Sequence, residues 1–306
     1  MPHPLRHPQP DPNAVPRVPV LAVTPYRLCP MPDLGELAGP DPRRQHVVDH
    51  GFLHEADGSW LLWACIRGTA CGRLLYAWKG GGFDGKAWQP KGVAARADAA
   101  WSEAVRPGNE TIGAPFFVHD GGCTYCFYHS GSIRVMERKP DGSFERVAWN
   151  KDGSNVVYPD GGRDVMITRF GDRWFSYSCV TTGQNPARSF VMLRTSPDLR
   201  DWSDYINVNE GGIMGNGPVA AESPFVIHLD GCYYLFRTSS ITFDTAVYRS
   251  LTPYHFGVND DGKLVTILPV KAPELVLHEG RWLCSDLGDF GGIMLHELKW
   301  EPEGKQ

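Results

Sequence analysis

Short apolar runs alternate with tight polar turns along this chain, and the arrangement recurs five times. Residues 60–64, 125–128, 174–178, 233–236 and 282–284 are aromatic-rich runs. Each follows a turn built on an acid and a glycine: Asp57-Gly58, Asp120-Gly121, Gly171-Asp172, Asp230-Gly231 and Glu279-Gly280. Ahead of each turn stands another short apolar run, at 51–53, 116–118, 165–170, 225–227 and 275–277. Such runs, bounded by Asp and Gly, predict strands joined into hairpins. Residues 74–78, 190–194 and 246–249 supply third strands, and no long helical pattern is present.

Asp49, Ala114, Asp164, Glu222 and Ala272, taken as equivalent points, are spaced by 65, 50, 58 and 50 residues. Periods near fifty with four strands apiece predict an all-β fold. It is a five-bladed β-propeller of four-stranded antiparallel blades around a central channel. This domain is expected over residues 45–306. Residues 1–44 are expected to be an N-terminal Pro-rich arm that wraps or frays, docking at 26–28; nine prolines fall within its first thirty positions. The Ser-Pro-Asp-Leu-Arg-Asp-Trp run at 196–202 reads as a strand end, an Asx turn and an aromatic tucked between blades.

Composition narrows the chemistry. Net charge is −5 with no basic cluster along the sequence, which argues against nucleic acid or an anionic membrane as partner. No apolar run reaches membrane-spanning length. Residues 1–18 lack the apolar core of a secretory signal, giving the expectation of a cytoplasmic protein. The eight cysteines show no zinc-ligand spacing, and those in predicted strands read as buried, reduced thiols.

In a propeller, equivalent positions of different blades converge on one face of the channel. Asp49, Asp164 and Glu222 are therefore expected to form one carboxylate cluster. Like charges and desolvation drive such groups apart in pKa, leaving one protonated and another ionised. Glycosidic cleavage needs that division: an acid on the leaving oxygen and a carboxylate that activates water or attacks the sugar. Around the cluster, the candidate substrate contacts are His50, Glu110, Thr111, Arg163, Asn216 and, farther off, Arg237 and His129. Trp101 is a candidate platform for a sugar face.

The segments Val48-Asp49, Arg163-Asp164-Val165 and Glu222-Ser223-Pro224, with Gly113-Ala114-Pro115 between them, resemble the five-bladed propeller glycoside hydrolases of families 43, 32, 62 and 117. The blade ends at 196–202 and 250–257 share that resemblance, which is nearest to family 43 and covers residues 45–300. It implies a hydrolase of arabinofuranoside or xyloside bonds acting on small oligosaccharides. Asp49 would be general base, Asp164 the modulator and substrate orienter, and Glu222 general acid, with inversion of configuration. No cofactor is required, although family 43 members often hold a structural calcium in the axial channel, partly through a blade-five His; His278 and His296 are the histidines there. The alternatives are a non-catalytic sugar-binding propeller, a retaining fructosidase-like enzyme, and a phosphorylase. The last would need a basic phosphate pocket, which Arg163, Arg169 and Arg237 do not obviously form.

Overall fold

The computed structural model describes residues 11–22, 24–158 and 160–304. Its strands form five antiparallel sheets set as blades around a common axis. Blade one comprises His46–His54, Trp60–Thr69, Gly72–Gly80 and Gln89–Ala95. Blade two comprises Gly113–Asp120, Cys123–His129, Ile133–Arg138 and Phe144–Arg146, with Val156–Tyr158 alongside its third strand. Blade three runs through Arg163–Phe170, Arg173–Thr181, Ser189–Ser196 and Ile206–Asn209. Blade four runs through Glu222–Leu229, Cys232–Thr238, Thr245–Ser250 and Leu264–Leu268. The first strand of each blade is innermost, and the inner strands of blades one to four pack against one another in turn.

The hairpin turns show why acids and glycines recur. Asp230 and Gly231 take φ values of +48° and +80°, and Glu279 and Gly280 take +49° and +76°. Two consecutive left-handed residues make the tight turn that matches strand twist, which Asp and Gly tolerate best. The predicted Asx turn is present too: Asp198 Oδ1 accepts from the amides of Arg200 and Asp201, both at 2.9 Å. Trp202 then packs edge-on to Tyr158 between blades. The apolar faces of neighbouring blades meet in three buried clusters, around Trp63 and Trp78, around Tyr177 and Phe236, and around Phe127 and Met192. All eight cysteines are free thiols, seven of them buried.

Blade five departs from the expected boundaries. Its own segment supplies three strands: Leu275–His278, Arg281–Asp286 and Gly292–Pro302. The fourth place is taken by the N-terminal region. Arg17–Leu21 pairs with Leu298–Pro302, and Tyr26–Pro30 pairs with the first part of the same long strand. Leu28 and Cys29 are fully buried. Residues 17–30 are thus a structural part of the ring rather than an arm outside it. The alternating apolar positions there are short and broken by Pro19, Pro25 and Pro30, which masked them as strands. Proline fits because these segments lie at the outer edge, where one side of the ladder needs no donor.

Candidate active site

Each of the first four inner strands carries a register shift near its start, between Val48 and His50, Gly113 and Phe116, Arg163 and Met166, and Glu222 and Phe225. At the same level one residue per blade adopts positive φ: Asp49 (+29°), Ala114 (+48°), Asp164 (+54°), Ser223 (+45°) and Ala272 (+48°). A bulge of this kind bends the strand and re-aims a side chain, and positive φ away from glycine is strained. These five equivalent positive-φ residues form one tier around the channel. The residue before each forms a second tier: Val48, Gly113, Arg163, Glu222 and Lys271.

This corrects the sequence register by one residue in blade four. Ser223, not Glu222, is the equivalent of Asp49 and Asp164. The prolines that follow Ala114, Ser223 and Ala272 carried the signal, because aligning on Pro115, Pro224 and Pro273 gives this register. The carboxylates still converge, but from two tiers. Asp49, Asp164 and Glu222 line one cavity of about 310 Å³. Asp49, Asp164 and Ser223 also border a narrower space of about 20 Å³ in the channel, between Ala114, Pro115, Val165 and Pro224.

Ser223 ties the positive-φ tier together. Its amide donates to Asp164 Oδ2 at 3.1 Å, and its hydroxyl donates to Asp49 Oδ1 at 3.3 Å. Arg163 grips Glu222 with two bonds, Nε to Oε2 at 2.7 Å and Nη2 to Oε1 at 3.0 Å. The same guanidinium reaches Thr181 Oγ1 at 2.8 Å and the Ala221 carbonyl at 3.2 Å. Burial, and then the Asp164 carboxylate, push the Glu222 carboxyl up to about 8 against the pull of Arg163. Burial and Asp164 likewise push Asp49 up to about 7, opposed by Arg73, the Ser223 hydroxyl and Arg67.

The loop that delivers Glu222 is fixed from behind. Arg237 is fully buried and donates to the carbonyls of Ala220, Gly211 and Gly215 and to Asn209 Oδ1. Ser189 Oγ donates to the Gly217 carbonyl at 2.7 Å and accepts from the Ala221 amide at 2.9 Å. Arg237 was expected near substrate, but all its donors are spent on this loop. Its fixed fork of donors suits a cluster of orphan carbonyls.

Other expected contacts also lie elsewhere. His50 faces the narrow channel beneath the carboxylates; its Nε2 bonds Ser285 Oγ at 2.7 Å, and burial pushes its pKa down to about 3. Glu110 is buried in an ion pair with Arg96 and splices blade two to blade one through its amide on the Cys71 carbonyl. Thr111 gives its carbonyl to Ser130 Oγ. Trp101 closes a single helical turn whose carbonyl accepts from Arg134 at 2.8 Å. His129 sits within the field of Asp164, and burial lowers its pKa. Asn216 is exposed on the loop before Glu222. Of these expected contacts only Arg163 lines the cavity.

The cavity is completed by residues that sequence reasoning passed over. Arg67, Arg73 and Lys271 bring positive charge, and Phe243 and Phe290 bring aromatic surface. Lys271 Nζ lies 5.0 Å from the Phe290 ring centre and 5.8 Å from that of Phe243. Beneath Asp49, Glu274 of blade five faces the channel, and burial raises its carboxyl well above the usual range. No linear pattern marks these residues, since they come from three blades.

A channel calcium finds few donors here. Besides Asp49 and Asp164, the narrow segment offers His50 and Glu274, whereas calcium takes six to eight oxygens. His278 packs edge-on to Trp60 and Phe83, and His296 lies 3.7 Å from Asp286, so neither lines the channel.

The sequence matches no protein-family model and no curated protein. Solved structures share the fold. A thermostable family-43 glycoside hydrolase superposes with a TM-score of 0.61 at 16% identity, covering 88% of this chain and 95% of that one. A family-43 β-xylosidase/α-arabinofuranosidase from a compost microbial metagenome, solved with xylotriose, gives 0.59 at 13% identity over 90% and 95%. A family-117 glycoside hydrolase produced by the marine bacterium Zobellia galactanivorans gives 0.58 at 12% over 94% and 92%.

Proposed function

We propose that this chain is a glycoside hydrolase that cleaves a terminal furanosidic or pentose residue, of arabinofuranoside or xyloside type, from a short oligosaccharide. The observation that carries the reading is the convergence of three carboxyls in one cavity, with Glu222 gripped by Arg163 and with Asp49 and Asp164 joined through Ser223. Burial and the Asp164 charge raise both Glu222 and Asp49, so the cluster keeps a proton into the neutral range. A protonated Glu222 donates to the leaving glycosidic oxygen. Ionised Asp49 takes a proton from the water that attacks the anomeric carbon. Asp164, held by the Ser223 amide, orients the sugar and raises both neighbours through its charge. Because these groups titrate together, the pH limits belong to the cluster rather than to single residues.

The fold neighbours named as xylosidase/arabinofuranosidase and as exo-1,5-α-L-arabinanase support the pentose assignment. The test is a panel of nitrophenyl glycosides led by α-L-arabinofuranoside and β-D-xyloside, with natural oligosaccharides alongside. Cleavage by wild type, with Glu222→Gln failing on natural glycosides while keeping activity on good leaving groups, supports the assignment. Binding without cleavage of any member of the panel points to a sugar-binding propeller instead.

A further inference from the structure

Net charge conceals a local reversal of sign. The protein as a whole is acidic, yet four cations line the carboxylate cavity: Arg67, Arg73, Arg163 and Lys271. Arg163 is occupied by Glu222, and Lys271 donates to the Gly288 carbonyl. Arg67 and Arg73 are different. They face each other directly across the ladder between the second and third strands of blade one. Like charges at directly opposed positions are destabilising. Neither arginine forms an ion pair with an acid among the described residues.

Arg67 is nevertheless held in place. Its Nε and Nη2 donate to His46 Nδ1 at 3.3 and 3.0 Å, and its guanidinium lies 5.9 Å from the Phe290 ring centre, on which His46 also stacks. Both arginines are half-buried, so desolvation adds to the cost of keeping them together. They also line a second cavity of about 600 Å³ that holds His46 and Arg44, so the positive tract runs from the carboxylates outward. A repulsive arginine pair beside a reaction cavity, one member already held by His46 and Phe290, has donors to offer an anion that bridges it.

We infer that Arg67 and Arg73 form an oxyanion subsite at the mouth of the carboxylate cavity, taking the carboxylate, sulfate or phosphate group of an acidic sugar. The inference rests on the glycoside hydrolase reading for its setting and adds the class of substrate. The same oxyanion chemistry could be served by a group carried on the sugar or by free phosphate. In the second case a phosphate oxygen bonds to the anomeric carbon as the glycosidic bond breaks. The leaving oxygen then takes the Glu222 proton, and the product is a sugar 1-phosphate.

The test is calorimetric titration of the full chain with glucuronate, inorganic phosphate and neutral xylose, in wild type, Arg67→Gln, Arg73→Gln and Arg67→Lys. Glucuronate or phosphate is expected to bind about tenfold or more tightly than xylose at low salt. That advantage should vanish in both Gln variants, survive in part in Arg67→Lys, and shrink from about 50 to about 500 mM salt. Equal affinity for acidic and neutral probes in wild type overturns the subsite, and so does an advantage that persists in both Gln variants. The wild-type salt series needs no variant to fold. Faster cleavage of nitrophenyl uronides than of neutral glycosides places the anion on the sugar; phosphate-dependent formation of a sugar 1-phosphate places it in solution. Cleavage of neutral pentosides with no acidic preference removes this subsite and leaves the hydrolase reading intact. Arginine-dependent anion binding without any cleavage does the reverse.

Discussion

Arg163 holds Glu222 through two parallel hydrogen bonds, Nε at 2.7 Å and Nη2 at 3.0 Å, from the equivalent position of the preceding blade. The proposed acid is thus paired with a cation yet still raised, because burial and Asp164 outweigh the guanidinium. Arg163→Gln removes the only influences that lower it. The Glu222 pKa should then rise, and since the acid works protonated, the alkaline limb of the kcat profile should move to higher pH. A limb that moves down, or stays fixed while kcat falls, contradicts the assignment.

Glu222→Gln keeps the shape and removes the proton. Cleavage of natural glycosides should fall by about 10²–10⁴. Aryl glycosides with good leaving groups should lose far less, because their departure needs little acid assistance. Asp49→Asn should fail on both, since activating water is needed whatever leaves. Product analysis by proton NMR during wild-type turnover should show inversion of the anomeric configuration.

Asp49 and Glu222 also set a stability trend. Their folded pKa values, about 7 and about 8, lie above the ordinary 3.8 and 4.5 of unfolded carboxyls. The folded state therefore binds protons more tightly, and their contribution is full below about pH 4 and lost as pH rises toward 7–8. Asp49→Asn removes a charge the fold must desolvate. It should raise Tm more at pH 8 than at pH 5, the difference on the order of 2–4 kcal/mol at 1.36 kcal/mol per pKa unit. Equal shifts at both pH values contradict the buried, repelled carboxylate.

Arg237→Met leaves the carbonyls of Ala220, Gly211 and Gly215 without their donor. Removing one side of such a buried network costs about 3–5 kcal/mol. Urea unfolding should show that loss. Activity under native conditions should fall as well, because this loop sets Glu222.

The opposed arginines give the contrary sign. At pH 5, where Asp49 is protonated and no longer draws on Arg73, replacing Arg73 by Gln relieves like-charge repulsion with Arg67 and should raise stability by about 0.2–1 kcal/mol, more at low salt. A drop in Tm for this variant at pH 5 contradicts a repulsive pair.

How much of this was legible in the chain follows from what each feature depends on. Hairpins are local, so Asp230-Gly231 and Glu279-Gly280 announced themselves, and their even recurrence gave the blade count. The three acids were visible because each follows the same strand-entry pattern. The register of Glu222 was not, because a bulge inserts a residue without changing composition; only Pro224 marked it. Trp101 and Glu110 were read as contacts from the loop before blade two and Arg237 from the end of a second strand, whereas Glu110 is spent on Arg96 and Cys71, Arg237 on the loop before Glu222, and the Trp101 carbonyl on Arg134. Arg67 and Arg73 were invisible, since their meaning is the ladder that sets them face to face. The strands at 17–30 were hidden because their partner lies at the other end of the chain.

That pairing has a consequence for how the protein is made. Arg17 sits opposite Pro302, so the ring is fastened by nearly the first described strand and the last. During synthesis residues 17–21 leave the ribosome with no partner, and residues 298–302, which pair with them, follow more than 270 positions later. The closing contact thus spans the whole chain, the most expensive loop in conformational entropy that the molecule forms. Until it forms, blade five lacks its outer edge and Leu28 and Cys29 lack their burial, leaving strand edges open to other chains. A ribosome stalled before residue 292 should therefore leave residues 17–21 and 26–30 protease-sensitive, and synthesis past residue 302 should protect both in one step.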